Sequence, residues 1–164
     1  MDPKAMLEGR TRETRIRRDA AGRWWNGEEP ISHPNLVRAF DAWVDRAEDG
    51  RFCLKNDINW AYVAIEGAPF FVRGVRVTDG GGAELLLSDG KHEPLDPDSL
   101  RQDASGVLHC SVHGGAFAAR FDRGAMHDLA PILEADGEGV FLRIGGRAIR
   151  PPVVADPVSW APPG

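Results

Sequence analysis

Apolar and polar positions change their spacing several times along this chain, and each change marks an element. Thr14–Arg18 and Arg23–Asn26 flank the turn sequence Asp19-Ala20-Ala21-Gly22 and predict a hairpin. Trp24 and Trp25 are adjacent, so a strand sends them to opposite faces, one to the core and one to a surface. Over Pro34–Ala47 the residues Leu36, Val37, Phe40, Trp43, Val44 and Ala47 recur at helical spacing. Ser32 or His33 can cap that helix, Pro34 in its first turn costs no hydrogen bond, and Gly50 suits a left-handed C-terminal cap.

Strand patterns follow over Arg51–Lys55, Trp60–Glu66, Pro69–Thr78, Ala83–Ser88 and Lys91–Leu95. Trp60, Tyr62 and Ala64 alternate with Ala61, Val63 and Ile65. In Pro69–Thr78 the apolar phase slips at Gly74, the mark of a β-bulge. Asp79-Gly80-Gly81-Gly82 and Asp89-Gly90 read as hairpin turns, so this middle section predicts an antiparallel meander. Val107–His113 and Phe117–Phe121 form a further strand pair, in which His109, Ser111 and His113 share a solvent-facing side. A second helix is predicted within Asp122–Ala135, with Met126, Leu129, Ile132 and Leu133 inward and a late start or a kink at Pro131. Val140–Ile144 and Arg147–Arg150 close the body as a hairpin.

The two ends of the body resemble each other. Asp19-Ala20-Ala21-Gly22 matches Asp103-Ala104-Ser105-Gly106, and Val37, Phe40, Trp43 and Val44 match Met126, Leu129, Ile132 and Leu133. The predicted fold is α+β: a mostly antiparallel sheet with two similar hairpin–helix–strand units joined by a β-meander. The divisions are a flexible arm over 1–12, a first α+β unit over 13–66, the meander over 67–98, a second unit over 99–150, and a proline-rich tail over 151–164 whose Trp160 docks on the body or on a partner.

Composition narrows the function classes. The chain has 164 residues and a net charge of −5, which argues against a nucleic-acid-coating protein. It has 19 glycines and 12 prolines, in keeping with repeated turns. Signal-peptide and membrane-length apolar stretches are lacking, so a cytoplasmic protein without a membrane partner is predicted. Cys53 and Cys110 lie in apolar runs and read as buried, inert thiols.

Several motifs resemble a family of uncharacterised bacterial proteins, domain of unknown function family 1285. They are Ile16-x-x-Asp19-x-x-Gly22-x-Trp24, Pro30-Ile31-Ser32-His33-Pro34-x-Leu36-Val37-Arg38-x-Phe40, Asp49-Gly50-Arg51-Phe52-x-Leu54 and Glu66-Gly67-Ala68-Pro69-Phe70, with a fainter Ala119-Arg120-Phe121-Asp122-Arg123. The resemblance implies an α+β fold with repeated motifs, and ligand binding in bacterial intracellular signalling.

Catalytic and metal motifs are thin. Gly80-Gly81-Gly82 lacks the Lys-Ser/Thr of a phosphate loop, and GxSxG and HExxH do not occur. His109 and His113, four residues apart on a strand, lie roughly 13 Å apart, too far to share one ion. No metal and no cofactor are predicted. What remains is an aromatic and polar set that can line an amphiphilic pocket with a cationic wall: Trp24, Trp25, His33, Asn59, Trp60, Arg73 and Arg76. The leading expectation is a non-enzymatic binding module for a small molecule or peptide. The alternatives are a small hydrolase using His33 or His113 with a carboxylate, and a partner adaptor using the arginine-rich Arg10–Arg18. An exposed sheet edge offers a route to self-association.

Overall fold

Turn residues interrupt every apolar run, so the strands are short and a few buried side chains hold each sheet. The computed structural model describes residues 12–160. The described part is α+β, with two α-helices and four sheets that are mostly antiparallel with some parallel pairs. It divides into two units, Met1–Pro69 and Phe70–Gly164. All but Arg12 of the arm expected over 1–12 lies outside the described residues, as do the last four residues of the tail.

In the first unit, β1 (Ile16–Arg18), β2 (Trp24–Asn26) and β3 (Glu29–Ile31) form an antiparallel meander, and β7 (Ala64–Ile65) adds in parallel to β1. The β1–β2 turn is the predicted one: the Asp19 carbonyl accepts from Gly22 N, and Gly22 takes φ +89°. Helix α1 (Pro34–Trp43) starts as predicted, with His33 Nδ1 accepting from the Asn35 N–H at 3.3 Å. It ends earlier than its periodicity predicts. Val44 is extended and opens β4 (Val44–Arg46), because that segment finds ladder partners in β5 (Phe52–Lys55). Gly50 accordingly serves the β4–β5 turn at φ +89° and not a helix cap. The expected strand Trp60–Glu66 splits into β6 (Trp60–Tyr62), paired with β5, and β7, paired with β1; Val63, 9% exposed, sits at the switch. Trp24, Phe40, Leu54 and Ala61 are buried in this unit, with Trp24 and Phe40 edge to face at 5.4 Å.

In the second unit, one sheet runs in the order β10 (His92–Pro94), β9 (Ala83–Leu87), β8 (Phe70–Val77), β13 (Phe117–Phe121), β12 (Leu108–Val112), β11 (Arg101–Gln102). The meander is therefore half of a larger sheet, joined to the later hairpin by parallel β8–β13 pairing. The predicted bulge is present: the β8–β9 register shifts between Val72 and Gly74, and Asp128 Oδ2 accepts from the Val75 N–H at 3.0 Å. Helix α2 (Arg123–Asp128) is capped by Asp122 Oδ1, which accepts from Ala125 N. It stops before Pro131, which lacks the N–H to continue and sits in a 3-10 turn over Ala130–Ile132. Leu133 does not belong to the helix's apolar face. It is 51% exposed and opens β14 (Leu133–Asp136), which pairs with β15 (Gly139–Ile144) and through it with β16 (Arg147–Ile149).

Two further expectations are corrected here. His109 is not solvent-facing but 4% exposed, and burial holds its imidazole below the usual histidine range. His113 has left the strand and takes φ +53°. Cys53 and Cys110 are both buried and unbridged, and burial raises both thiols, Cys110 to about 12.

The tail runs back over β11. Gln102 N donates to Pro152 O, Gln102 O accepts from Val154 N, and Arg101 Nε donates to Pro157 O at 2.8 Å. Trp160 lies 5.2 Å from the Arg101 guanidinium.

Candidate functional site

One phase of the sheet β4–β5–β6 is anchored by apolar residues. Val44, Leu54 and Ala61 stand in register and are buried. The other phase places Asp45, Cys53 and Tyr62 in one cross-strand row, and Lys55 beside Trp60 in the next. Over this face lies a cleft of about 500 Å³, with Cys53 as part of its lining, Trp60 and Tyr62 on one side, and Arg46, Glu48, Asp49 and Lys55 as its charged groups.

Further contacts hold the aromatic side and Asp49 in place. Trp60 and Tyr62 meet edge to face at 5.0 Å. The Arg12 guanidinium lies over the Trp60 ring at 4.6 Å and donates to Trp60 O at 2.5 Å and to Asn59 Oδ1. Arg51 lies 3.6 Å over the Tyr62 ring and forms a fork to Glu13 at 2.8 and 3.0 Å. The Tyr62 hydroxyl donates to Asp49 Oδ2 at 2.6 Å, and Arg51 N donates to Oδ1. Those bonds, the tyrosine's first, hold Asp49 below the usual carboxylate range, and the same contact raises Tyr62. Burial raises the Cys53 thiol; Asp45 pushes it further up and Lys55 pulls it down, so the thiol feels charge of both signs. The side chains of Glu48 and Lys55 make no hydrogen bond or ion pair among the described residues.

The remaining sequence-predicted residues lie elsewhere. Trp24 is 1% exposed, and its indole N–H donates to Asp41 Oδ1 at 2.8 Å, beside buried Arg18. Trp25 stands on the outer face of β2, with Arg17 at 5.0 Å and Arg23 at 5.9 Å from its ring and its N–H on Asp19 Oδ2 at 3.0 Å. His33 is an exposed cap. Within the first unit, then, Trp60 lines the cleft, and Asn59 stands behind it as an acceptor for Arg12. In the second unit, Arg73 pairs with Asp122 at 3.5 Å, and Arg76 pairs with Glu84 at 3.1 Å beside a recess formed with His127 and Pro131. The cleft residues Arg46, Glu48, Asp49, Cys53, Lys55 and Tyr62 were not singled out by the sequence. The signal that finds them is the alternation of Cys53 with Leu54 and of Tyr62 with Ala61, read across paired strands.

Also in the second unit, His113 Nε2 lies 2.9 Å from Asp89 Oδ2 and its Nδ1 lies 3.4 Å from Glu93 Oε1. Phe70 and Phe117 pack edge to face on its ring. Among the described residues, no group of three or more His, Cys, Asp or Glu side chains is arranged to hold a metal ion. No helix among them is long and apolar enough to cross a membrane.

The architecture defines a class: an α+β fold of small, mostly antiparallel sheets that proteins of domain of unknown function family 1285 share. The chain is similar to the crystal structure of a DUF1285 family protein from Silicibacter pomeroyi, at 20% identity over 94% of this chain and 87% of that one, with a TM-score of 0.64. It is also similar to one from Shewanella baltica, at 14% identity over 67% of this chain and 85% of that one, with a TM-score of 0.52. This likeness is one of fold, and it falls on the family whose motifs the sequence resembles. No protein-family model matches the sequence, and no curated protein matches it.

Proposed function

We propose that this protein is a non-enzymatic binding module of the bacterial cytoplasm, and that its ligand, a small molecule or peptide used in intracellular signalling, seats in the cleft over β4–β5–β6. One observation carries the reading. The cleft offers an aromatic wall and two charges, Glu48 and Lys55, that no group among the described residues neutralises. Its volume falls in the range of small-ligand sites, roughly 300–1,000 Å³. The binding surface is pre-formed, because Arg12, Arg51 and Asp49 fix the two rings. A fragment screen by ¹⁵N-resolved NMR tests it. Hits shift the amides of Cys53 and Lys55 and the Trp60 indole, and Trp60→Ala abolishes them. A screen in which none of these signals moves overturns it.

We infer further that the two units share one plan of hairpin, helix and three-stranded sheet. The support is local. Asp103 Oδ1 accepts from Ser105 N and Val107 N as Asp19 Oδ1 accepts from Ala21 N and Arg23 N, and Gly106 repeats the positive φ of Gly22. Both helices lead directly, or through one 3-10 turn, into a three-stranded antiparallel sheet.

A second reading, a small hydrolase, has the His113–Asp89 contact in its favour. Ester and phosphoester turnover that vanishes in His113→Ala supports it, and turnover equal to that of the variant removes it.

A further inference from the structure

The cleft carries charged groups of both signs along its length. Glu48 and Asp49 belong to the β4–β5 turn, at one end of β5, and Lys55 closes the other end. Ala47 pairs with Arg51 at the turn, so Glu48 stands beyond Arg51, and the four steps from Arg51 to Lys55 at about 3.3 Å each put at least roughly 13 Å of backbone between the two ends. Cys53, between them, reports both signs: besides the cost of burial, Asp45 and Asp49 disfavour its thiolate and Lys55 favours it. Asp49 is already engaged by Tyr62 and by the Arg51 N–H, so Glu48 is the carboxylate left to a ligand at the turn end. Arg46 lies over Phe52, which leaves Lys55 as the ammonium on the sheet face itself.

Resting on the reading of this cleft as a ligand site, we propose that its ligand is a short unblocked peptide, lying along β5 with its C-terminal carboxylate at Lys55 and its N-terminal ammonium at Glu48. The length follows from the spacing. The charges of a single amino acid are too close together to reach both ends. An extended chain of roughly four or five residues, at about 3.3–3.6 Å each, spans the distance. The apolar body of such a peptide lies against Trp60 and Tyr62, whose edge-to-face packing presents a rigid surface. Lysine suits this role because its ammonium is a compact point charge that meets a carboxylate without the fixed fork of arginine.

The test uses the full chain and the tetrapeptides Ala-Leu-Leu-Ala and Ala-Phe-Phe-Ala, each free, N-acetylated and C-amidated, in calorimetric titrations. The free peptides bind, and blocking either end weakens binding about tenfold, the loss expected of one charge-assisted contact in a part-exposed site. Lys55→Met removes the difference between free acid and amide but keeps the effect of acetylation. Glu48→Gln does the reverse. Both side chains are solvent-exposed, so both variants fold. Equal binding of free and doubly blocked peptides, or equal losses for both blocked forms in each variant, overturns the proposal. If the fragment screen finds ligands in the cleft while no free peptide binds, the peptide assignment fails and the binding-module reading stands. If neither binds, both fall.

Discussion

The Asp19 carboxylate gathers four donors in the β1–β2 turn. Oδ1 accepts from Ala21 N at 3.0 Å and Arg23 N at 2.9 Å, while Oδ2 accepts from Arg23 Nε at 2.8 Å and Trp25 Nε1 at 3.0 Å. Burial alone would raise this carboxyl. The indole, the backbone and the guanidinium outweigh burial and hold it at about 2, against an ordinary 3.8. Its side chain is 14% exposed, so the shift belongs to a largely enclosed group. At about 1.4 kcal/mol per pKa unit, the carboxylate contributes about 2 kcal/mol at neutral pH. The folded value is depressed, so this stability is fully present above the unfolded value near 4. It is lost as the pH falls toward the folded value of about 2.

Asp19→Ala therefore lowers stability by about 2–3 kcal/mol at pH 7, a fall in Tm of roughly 5–10 °C for a chain of this size. Asp19→Asn keeps an acceptor for the two backbone N–H groups and loses about 1 kcal/mol. Asp103→Ala is the internal control. Its turn offers backbone N–H groups and the Ser105 hydroxyl but neither an indole nor a guanidinium, so it costs about 1 kcal/mol. Urea unfolding followed by far-UV circular dichroism at pH 7 and pH 2.5 measures all three. The gap between the parent chain and Asp19→Ala shrinks by more than half at the lower pH. A gap under about 0.5 kcal/mol at pH 7, or one that is equal at both pH values, refutes the reasoning.

Other perturbations probe the frame of each unit. Gly22→Ala and Gly106→Ala place a Cβ at φ +89° and +87°, and each lowers the urea-unfolding free energy by a similar amount, about 1–2 kcal/mol. Trp24→Phe removes the indole donor from buried Asp41 and costs about 2 kcal/mol, read as a lower Tm in calorimetry. Arg101→Ala strips the Ser99 and Pro157 carbonyls of their donor and costs about 3 kcal/mol; ending the chain at Arg150 costs a similar amount, and the combination costs less than the sum in urea titrations.

The features legible in the sequence are those that one segment decides for itself. The Asp19 turn, the His33–Pro34 helix start and the slip at Gly74 need no distant partner, and all three stand where the pattern puts them. Features set by remote pairing were hidden. Val44 has helical spacing, yet Leu54 on β5 draws it into a strand. Trp60–Ile65 alternates like one strand, yet its halves pair with β5 and β1. The same rule governs the site. Trp60 stood out by residue type and lines the cleft. Lys55 and Tyr62 are ordinary residues until the register Cys53↔Tyr62 and Lys55↔Trp60 brings them to one face, and Glu48 joins them from the β4–β5 turn.

Of the 20 basic residues only Lys4, Lys55 and Lys91 are lysines, and the arginines divide by use. Arg18 donates to Ala68 O, and Arg101 donates to Pro157 O and Ser99 O, each from a position 1% exposed. A planar guanidinium can read several carbonyls at once and stay charged where water is scarce, which suits it to tying loops to a core. Arg12 and Arg51 use the same plane to cover aromatic faces beside the cleft. All four are committed to holding the protein's own groups. Lys91 stands at an open hairpin turn, whereas Lys55 projects from the face on which the cleft is built. A cation that serves an exchangeable ligand has to stay uncommitted in the free protein, because a pre-existing ion pair must be broken at each binding event. By that criterion these four arginines serve the fold, and the carboxylate of the proposed peptide is assigned to Lys55.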